Sequence, residues 1–338
     1  MSFFDGEAFI EASRSTWPEL RGARPDLVEV NGRRYRVLVS PRGRPLTTFP
    51  VLDIVEPLDE TRPVDPDAPS STIEHGDARP VSHLDNVRLA TLTVEEFTEQ
   101  QARRGLAEHD QVPRSSGATA VAPRIVFGPD TDPATFEREA RRRSKNAFRQ
   151  SRRAASRVVE HLGGPARVRL DDDDDDHFEQ ILRWKQEQYL ATGFTDLIDA
   201  GGDRFFRALR DRGATTTSTL SVGERLIAGH IGVRHDGVFH YWMPSYDAAA
   251  APAAPGLLLL ERLIEASIGA GDRIFDFLEG QEQYKFYYAT HVRLIGTVGT
   301  PPPLLRWYRT SRIALSERLD DDALLRRAVR TTRSFRRR

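Results

Sequence analysis

Cysteine is absent from the chain, which excludes a disulfide framework and thiolate metal sites. Lysine is nearly absent: Lys145, Lys185 and Lys285 stand against 46 arginines. Charge of one sign is not in excess either. Lys+Arg number 49 and Asp+Glu 50, for a net charge of -1, so attachment to nucleic acid by bulk charge is excluded and anion recognition must be local. Long apolar runs are missing. The longest candidate, Ala248 to Leu260, ends at Glu261 and Arg262, short of the roughly 18 residues that a membrane helix needs, so no stable membrane insertion is expected. The opening MSFFDGEAFIEASRS lacks a basic segment followed by an apolar one, and the expected location is cytoplasmic. The nine histidines show no HxxxH or HxH spacing, and Asp171–Asp176 lacks the alternation and bidentate Glu of a calcium loop. No metal is expected, and the aspartate run reads as the acidic start of a helix.

What is present suffices for a core: 39% hydrophobic residues plus 24 glycines in 338 residues, a length that suggests roughly two domains. In the first 130 residues, Leu27–Val30 and Arg33–Val39 flank Asn31-Gly32, a two-residue hairpin turn with two positive φ values. A strand is expected over Leu46–Val55, a flexible Pro- and Asp-rich loop over 56–82, and another strand over Val87–Leu92. Thr93 and Glu96 form a capping box opening a helix to about His109, before a strand over Ala118–Phe127. Asp132–Leu162 reads as the longest helical pattern, straight or bent, densely basic and stopped at Gly163-Gly164. From Arg167 onward the pattern is regular, β-α-α-β-β-β-α-β-α-β, to Val298. An Arg-rich helical tail follows, with seven arginines between Arg326 and Arg338.

Three places carry chemistry. Pro255-Gly256 opens the Leu257–Ala270 helix, where free N–H groups and the positive end of the helix dipole suit a diphosphate, and glycine permits close approach. Phe275-Asp276-Phe277-Leu278 sets one carboxylate in an apolar strand, so Asp276 needs a partner, and Lys285 is the expected one. Where arginine serves as the general cation, a retained lysine marks a need for a compact ammonium. The basic helix suits CoA, a sugar nucleotide or tRNA phosphates, although a solvated helix face accounts for its charges more simply.

Four segments, SKNAFRQSRRAASRVVEHLGG at 144–164, WKQEQYLATGFTD at 184–196, YDAAAAPAAPGLLLLERLIEASIGAG at 246–271 and FDFLEGQEQYK at 275–285, resemble the CelD/BcsL-like and FemAB-like branch of the GNAT acyltransferases. The resemblance implies an α/β GNAT-like fold, with a mixed, mostly antiparallel sheet flanked by helices. Residues 131–299 would form that domain, 1–130 an N-terminal α/β region for which a degenerate GNAT-like half is one reading, and 300–338 a helical tail. It implies N- or O-acyl transfer to a small-molecule or sugar-linked acceptor of the cell envelope, with acyl-CoA, first of all acetyl-CoA, as donor. Pro255, Gly256, Leu257 and Leu258 would hold the donor. Asp276 or Glu279 would act as base, Tyr284, Tyr287 or Tyr288 as the acid for the leaving group, and Lys285 as holder of a phosphate or the oxyanion. Lys145, Lys185, Gln188 and Tyr189 would face the acceptor. Of the superfamily's Arg/Gln-x-x-Gly-x-Gly/Ala donor signature only Gly256 is present, with Ala253 and Leu258 at the first and last places. Two alternatives therefore stand beside it: a FemAB-type enzyme drawing on aminoacyl-tRNA, and a non-catalytic scaffold.

Overall fold

In a computed structural model, the described residues are 6–46, 54–58, 78–103, 118–192 and 201–303. The strand expected over 46–55 and the loop over 56–82 fall largely outside them. So do the end of the helix predicted to His109 and the Arg-rich tail.

The chain opens with helix α1 (Glu7–Thr16), then a hairpin of β1 (Arg24–Val30) and β2 (Arg33–Val39). Asn31 and Gly32 take the positive φ values that the turn requires. With β3 (Pro45–Leu46) and β4 (Arg79–Pro80) the hairpin forms a small sheet ordered β3-β2-β1-β4. Next come β5 (His83–Thr93), α2 (Val94–Ala102) and β6 (Ala118–Val126). Thr93 Oγ1 accepts from the Glu96 amide while Glu96 accepts from the Thr93 amide, completing the capping box.

The long basic helix is two helices, α3 (Pro133–Arg143) and α4 (Arg149–Leu162). Phe148 breaks it with a φ of 57° and buries its ring edge-to-face against Phe136 and Tyr288. Then follow β7 (Arg167–Arg169), α5 (Asp175–Thr192), α6 (Gly202–Arg210), β8 (Thr216–Val222), β9 (Arg225–His235), β10 (Val238–Tyr246), α7 (Pro255–Gly269), β11 (Ile274–Asp276), α8 (Gln283–Tyr288) and β12 (His291–Gly299). The aspartate run caps α5: Asp174 accepts from the amides of Asp176 and His177, and the buried Asp172 binds Thr219 Oγ1 and His177 Nδ1.

The main sheet has eight strands in the order β5-β12-β6-β11-β10-β9-β8-β7. Its β10–β11 pair is parallel and its other pairs are antiparallel. One face packs Ile125, Phe239 and Phe275 against α3, α4 and α7. The other packs Ile231, Val233 and Met243 against α5, α6 and α1. Strands β5 and β6 come from the first 130 residues and sit within this sheet, with β6 between β11 and β12, so the sheet is continuous across residue 130. This is a mixed, mostly antiparallel sheet flanked by helices, the GNAT-like arrangement.

Candidate functional site

The parallel pairing of β10 with β11 lasts three positions, Val238 to His240 against Ile274 to Asp276. Beyond it the two strands part. β10 runs on along β9 to Tyr246, past a bulge between His240 and Met243. The chain after Asp276 follows β6 instead, its Phe277 and Gly280 amides donating to the carbonyls of Pro123 and Val121 at 3.2 and 3.0 Å. A wedge opens between them, and the sheet can supply no ladder partner there on the inner side of either strand.

Charged groups gather along the wedge. Lys285, buried on α8, donates to the Glu279 carbonyl at 3.0 Å and pairs with the exposed Glu282 at 3.0 Å, which among the described residues leaves one of its three N–H donors uncommitted. Gly280 makes room for this. At its φ of 142°, a Cβ would lie 2.5 Å from Lys285 Nζ and against the Glu282 carboxylate. Lys185 of α5 donates to the Pro244 carbonyl at 3.2 Å and lies 5.0 Å over the Tyr189 ring. Burial pulls its pKa down to about 8, with Glu282 opposing the shift and Lys285 adding to it. Glu279 is exposed as a residue, yet partial burial of its carboxyl holds the pKa up against the attraction of Lys285, with Glu282 adding to the rise. Burial likewise raises Tyr284 and Tyr189, and Glu282 raises both further. The two lysines, Glu279, Tyr284 and Tyr189 are thus brought together around Glu282.

With only three lysines, Lys185 can be followed directly by 15N NMR of its Nζ. Glu282→Gln removes the charge that favours the ammonium, so its pKa should fall below about 8. An unchanged or higher value would break the coupling. Between pH 8 and 10.5 the unfolded chain holds a proton that the folded chain has released, so this group adds stability as pH rises through that window.

Three expectations need correction. Asp276 does not pair with Lys285: both its oxygens accept from Arg293 Nη2, at 2.6 and 2.7 Å, and Oδ1 also accepts from the Leu278 amide. Burial works against its charge, but Arg293, His240 and that amide hold it below the usual carboxylate range. Tyr288 is closed off, its hydroxyl donating at 2.6 Å to the buried Glu261, which also takes the Ser151 hydroxyl. Lys145 is exposed in the link between α3 and α4, and among the described residues no hydrogen bond or ion pair ties it to the wedge. Gln188 lies on α5 between Lys185 and Tyr189 in sequence, with its Nε2 buried.

At the far end of the wedge, α7 begins after Ala254, which has φ 52° and gives no side-chain cap to the first amides. Pro255 is buried, and Gly256, Leu257 and Leu258 are half-buried. A Cβ on Gly256 would meet only Tyr246, at 3.7 Å, so the fold itself does not require glycine there. The sequence reading missed His230. Fully buried, it stacks on Tyr241 at 4.5 Å, and its Nε2 accepts the Trp242 amide within the β10 bulge at 3.1 Å. Burial, with Lys185 adding, takes its pKa to about 3 and keeps it neutral. No local spacing marks such a residue, because its partner is a bulge amide twelve residues on.

No curated protein matches the chain. Among solved structures, FemX is similar at 10% identity and a TM-score of 0.45, over 88% of this chain and 91% of FemX. A conserved protein of unknown function from Bacteroides thetaiotaomicron is similar at 11% identity and a TM-score of 0.37, over 54% of this chain. L-PGS from Bacillus licheniformis is similar at 15% identity and a TM-score of 0.31, also over 54% of this chain. The matches span 60% and 56% of those last two chains, under two-thirds of their length. Residues 145–286 match the family described as Acetyltransferase (GNAT) domain, less than half of the chain, from the α3–α4 link into α8. That stretch is similar to a GNAT-type acetyltransferase domain.

Proposed function

We propose that the protein transfers an acyl group from acyl-CoA to an amine or hydroxyl of a small or sugar-linked acceptor of the cell envelope. The observation that carries this reading is the wedge itself: two lysines and the half-buried Tyr284 along one wall, and a helix start without a side-chain cap at its far end. Transfer needs a proton acceptor for the nucleophile, donors for the tetrahedral oxyanion and an acid for the leaving group. With both oxygens of Asp276 engaged by Arg293, Glu279 takes the part of base, its raised pKa moving it toward neutrality. Tyr284 remains protonated at neutral pH, which suits a proton donor to a thiolate. Lys285 has one free donor for the oxyanion or for a phosphate, and Lys185, Gln188 and Tyr189 face the acceptor.

The CoA diphosphate would lie on the first amides of α7, with Pro255, Gly256, Leu257 and Leu258 around it. Gly256→Val should fold like the parent, since a Cβ meets only an ordinary contact with Tyr246. It should weaken acetyl-CoA binding by about tenfold or more, because a bulky side chain stops phosphates from reaching the amides. Calorimetric titration checks this, and undiminished binding in a normally folded variant would move the donor elsewhere.

A second reading, aminoacyl-tRNA as donor, is favoured by the exposed Arg142, Lys145, Arg149, Arg152 and Arg153 around the α3–α4 break. Separate titrations with acetyl-CoA and charged tRNA decide between them. Tight tRNA binding that weakens steeply with salt, without CoA binding, would replace the first reading by the second.

A further inference from the structure

The middle of the main sheet is polar on the face opposite α7. One cross-strand row runs His291, Arg124, Asp276, His240 over β12, β6, β11 and β10. Alternation fixes its direction: Ile125, Phe275 and Phe239 point into the α7 side, so Arg124, Asp276 and His240 point the other way. Arg293 extends the patch on β12, and Glu56, from the segment 54–58, lies against it. Arg88 completes the group by pairing with Glu56.

Within this group the acceptors are taken. Arg293 holds both oxygens of Asp276 and approaches Glu56 at 3.4 Å, and Arg88 holds the other Glu56 oxygen. Arg124 is left over. Its Nε is buried without a hydrogen-bond partner, and among the described residues no carboxylate, carbonyl or hydroxyl accepts from its guanidinium. Arg293 and Arg88 thus occupy the oxygens of Asp276 and Glu56, and Arg124 stands beside them with none to itself. Holding an unsatisfied cation half-buried beside another cation is unfavourable unless an anion completes it. Burial and the Arg293 charge, in that order, already depress Arg124.

We propose that Arg124 binds an oxyanion, a carboxylate or phosphodiester, borne by the acceptor substrate. The planar fork of its unpartnered guanidinium suits two oxygens side by side. Its place selects the acceptor over the donor. Arg124 pairs in the ladder with Asp276, where β10 and β11 begin to part, on the face away from α7. The acceptor assignment rests on the acyl-transfer reading above; binding of the anion does not.

The test uses the full chain, 15N-labelled and without donor, titrated with sodium acetate or sodium dimethyl phosphate at ionic strength held constant with chloride. Arginine Nε–Hε signals are read, with Arg124→Gln identifying the signal of Arg124. A saturable shift of that signal with either anion is expected, and acetate against dimethyl phosphate tells carboxylate from phosphodiester. Arg124→Gln should weaken binding by about tenfold or more, the worth of a charge-assisted hydrogen bond. The melting temperature of Arg124→Gln without added anion should equal or exceed that of the parent, since an unpaired cation is removed. A purely structural arginine would show the opposite, and a lowered melting temperature overturns the proposal. Absence of a saturable shift with both anions overturns it too. Acetyl-CoA titration of the same sample reports separately on the donor, so failure here and failure of the acyl-transfer reading are distinguishable.

Discussion

Arg293→Met is expected to destabilise the protein by about 3–5 kcal/mol at neutral pH, the cost of leaving a buried carboxylate without its cation. Both groups of the pair are nearly inaccessible, Asp276 at 4% and Arg293 at 5% exposure, so water cannot replace the lost partner. The loss should depend on pH in a defined direction. In the parent, Asp276 is held below its ordinary value, so its contribution is complete above the unfolded carboxylate pKa of about 3.9 and disappears as pH falls toward the folded value. In Arg293→Met the largest opposing charge is gone, and burial pushes Asp276 upward against the weaker pull of His240, the Leu278 amide and Arg124. The variant should therefore recover part of its deficit as acidification neutralises that carboxyl. Adding Asp276→Leu to Arg293→Met should restore stability at neutral pH, since neither charge is then stranded. Urea unfolding at pH 7 and pH 5 reads all three effects. A variant as stable as the parent at pH 7 would remove the ion pair from the account of the core.

The same pair shows where the sequence stops being legible. From Arg167 to Val298 the order of elements can be read locally, because alternation, capping residues and Gly- or Asp-containing turns mark each one. The partner of Asp276 could not be read. Arg293 stands seventeen residues on, in another strand, and one arginine among 46 carries no signal, whereas Lys285 drew attention by its rarity. The break of the basic helix at Phe148 was hidden for a related reason. Neither proline nor glycine marks it, and the left-handed turn is held by burial of the phenyl ring between Phe136 and Tyr288. The place of β6 between β11 and β12 is a pairing over more than 140 residues, which periodicity cannot specify. The gathering of Lys185, Tyr189, Tyr284 and Lys285 was anticipated only through the resemblance of their segments to GNAT acyltransferases. Nothing in their spacing brings α5 to α8.

Lys285→Arg is expected to lose activity by about a hundredfold or more while keeping stability, the size of effect seen when one oxyanion donor is removed. The pocket explains why charge alone is insufficient. Lys285 Nζ is buried, fixed by the Glu279 carbonyl and Glu282, in a space kept open by the missing side chain of Gly280. A planar guanidinium is larger and cannot direct one N–H into the position that a rotating ammonium fills. Lys285→Met should be similarly inactive. It should cost far less stability than Arg293→Met, because the ion-pair partner of Lys285, Glu282, is 55% exposed and keeps its hydration. Steady-state kinetics with whichever donor binds separates the two roles proposed for the ammonium. An oxyanion donor acts only in the transition state, so its loss lowers kcat with little change in KM, whereas a phosphate ligand raises KM for the donor. Full activity in both variants would take Lys285 out of the site. Destabilisation of Lys285→Met as large as that of Arg293→Met would make it a core ion-pair residue instead.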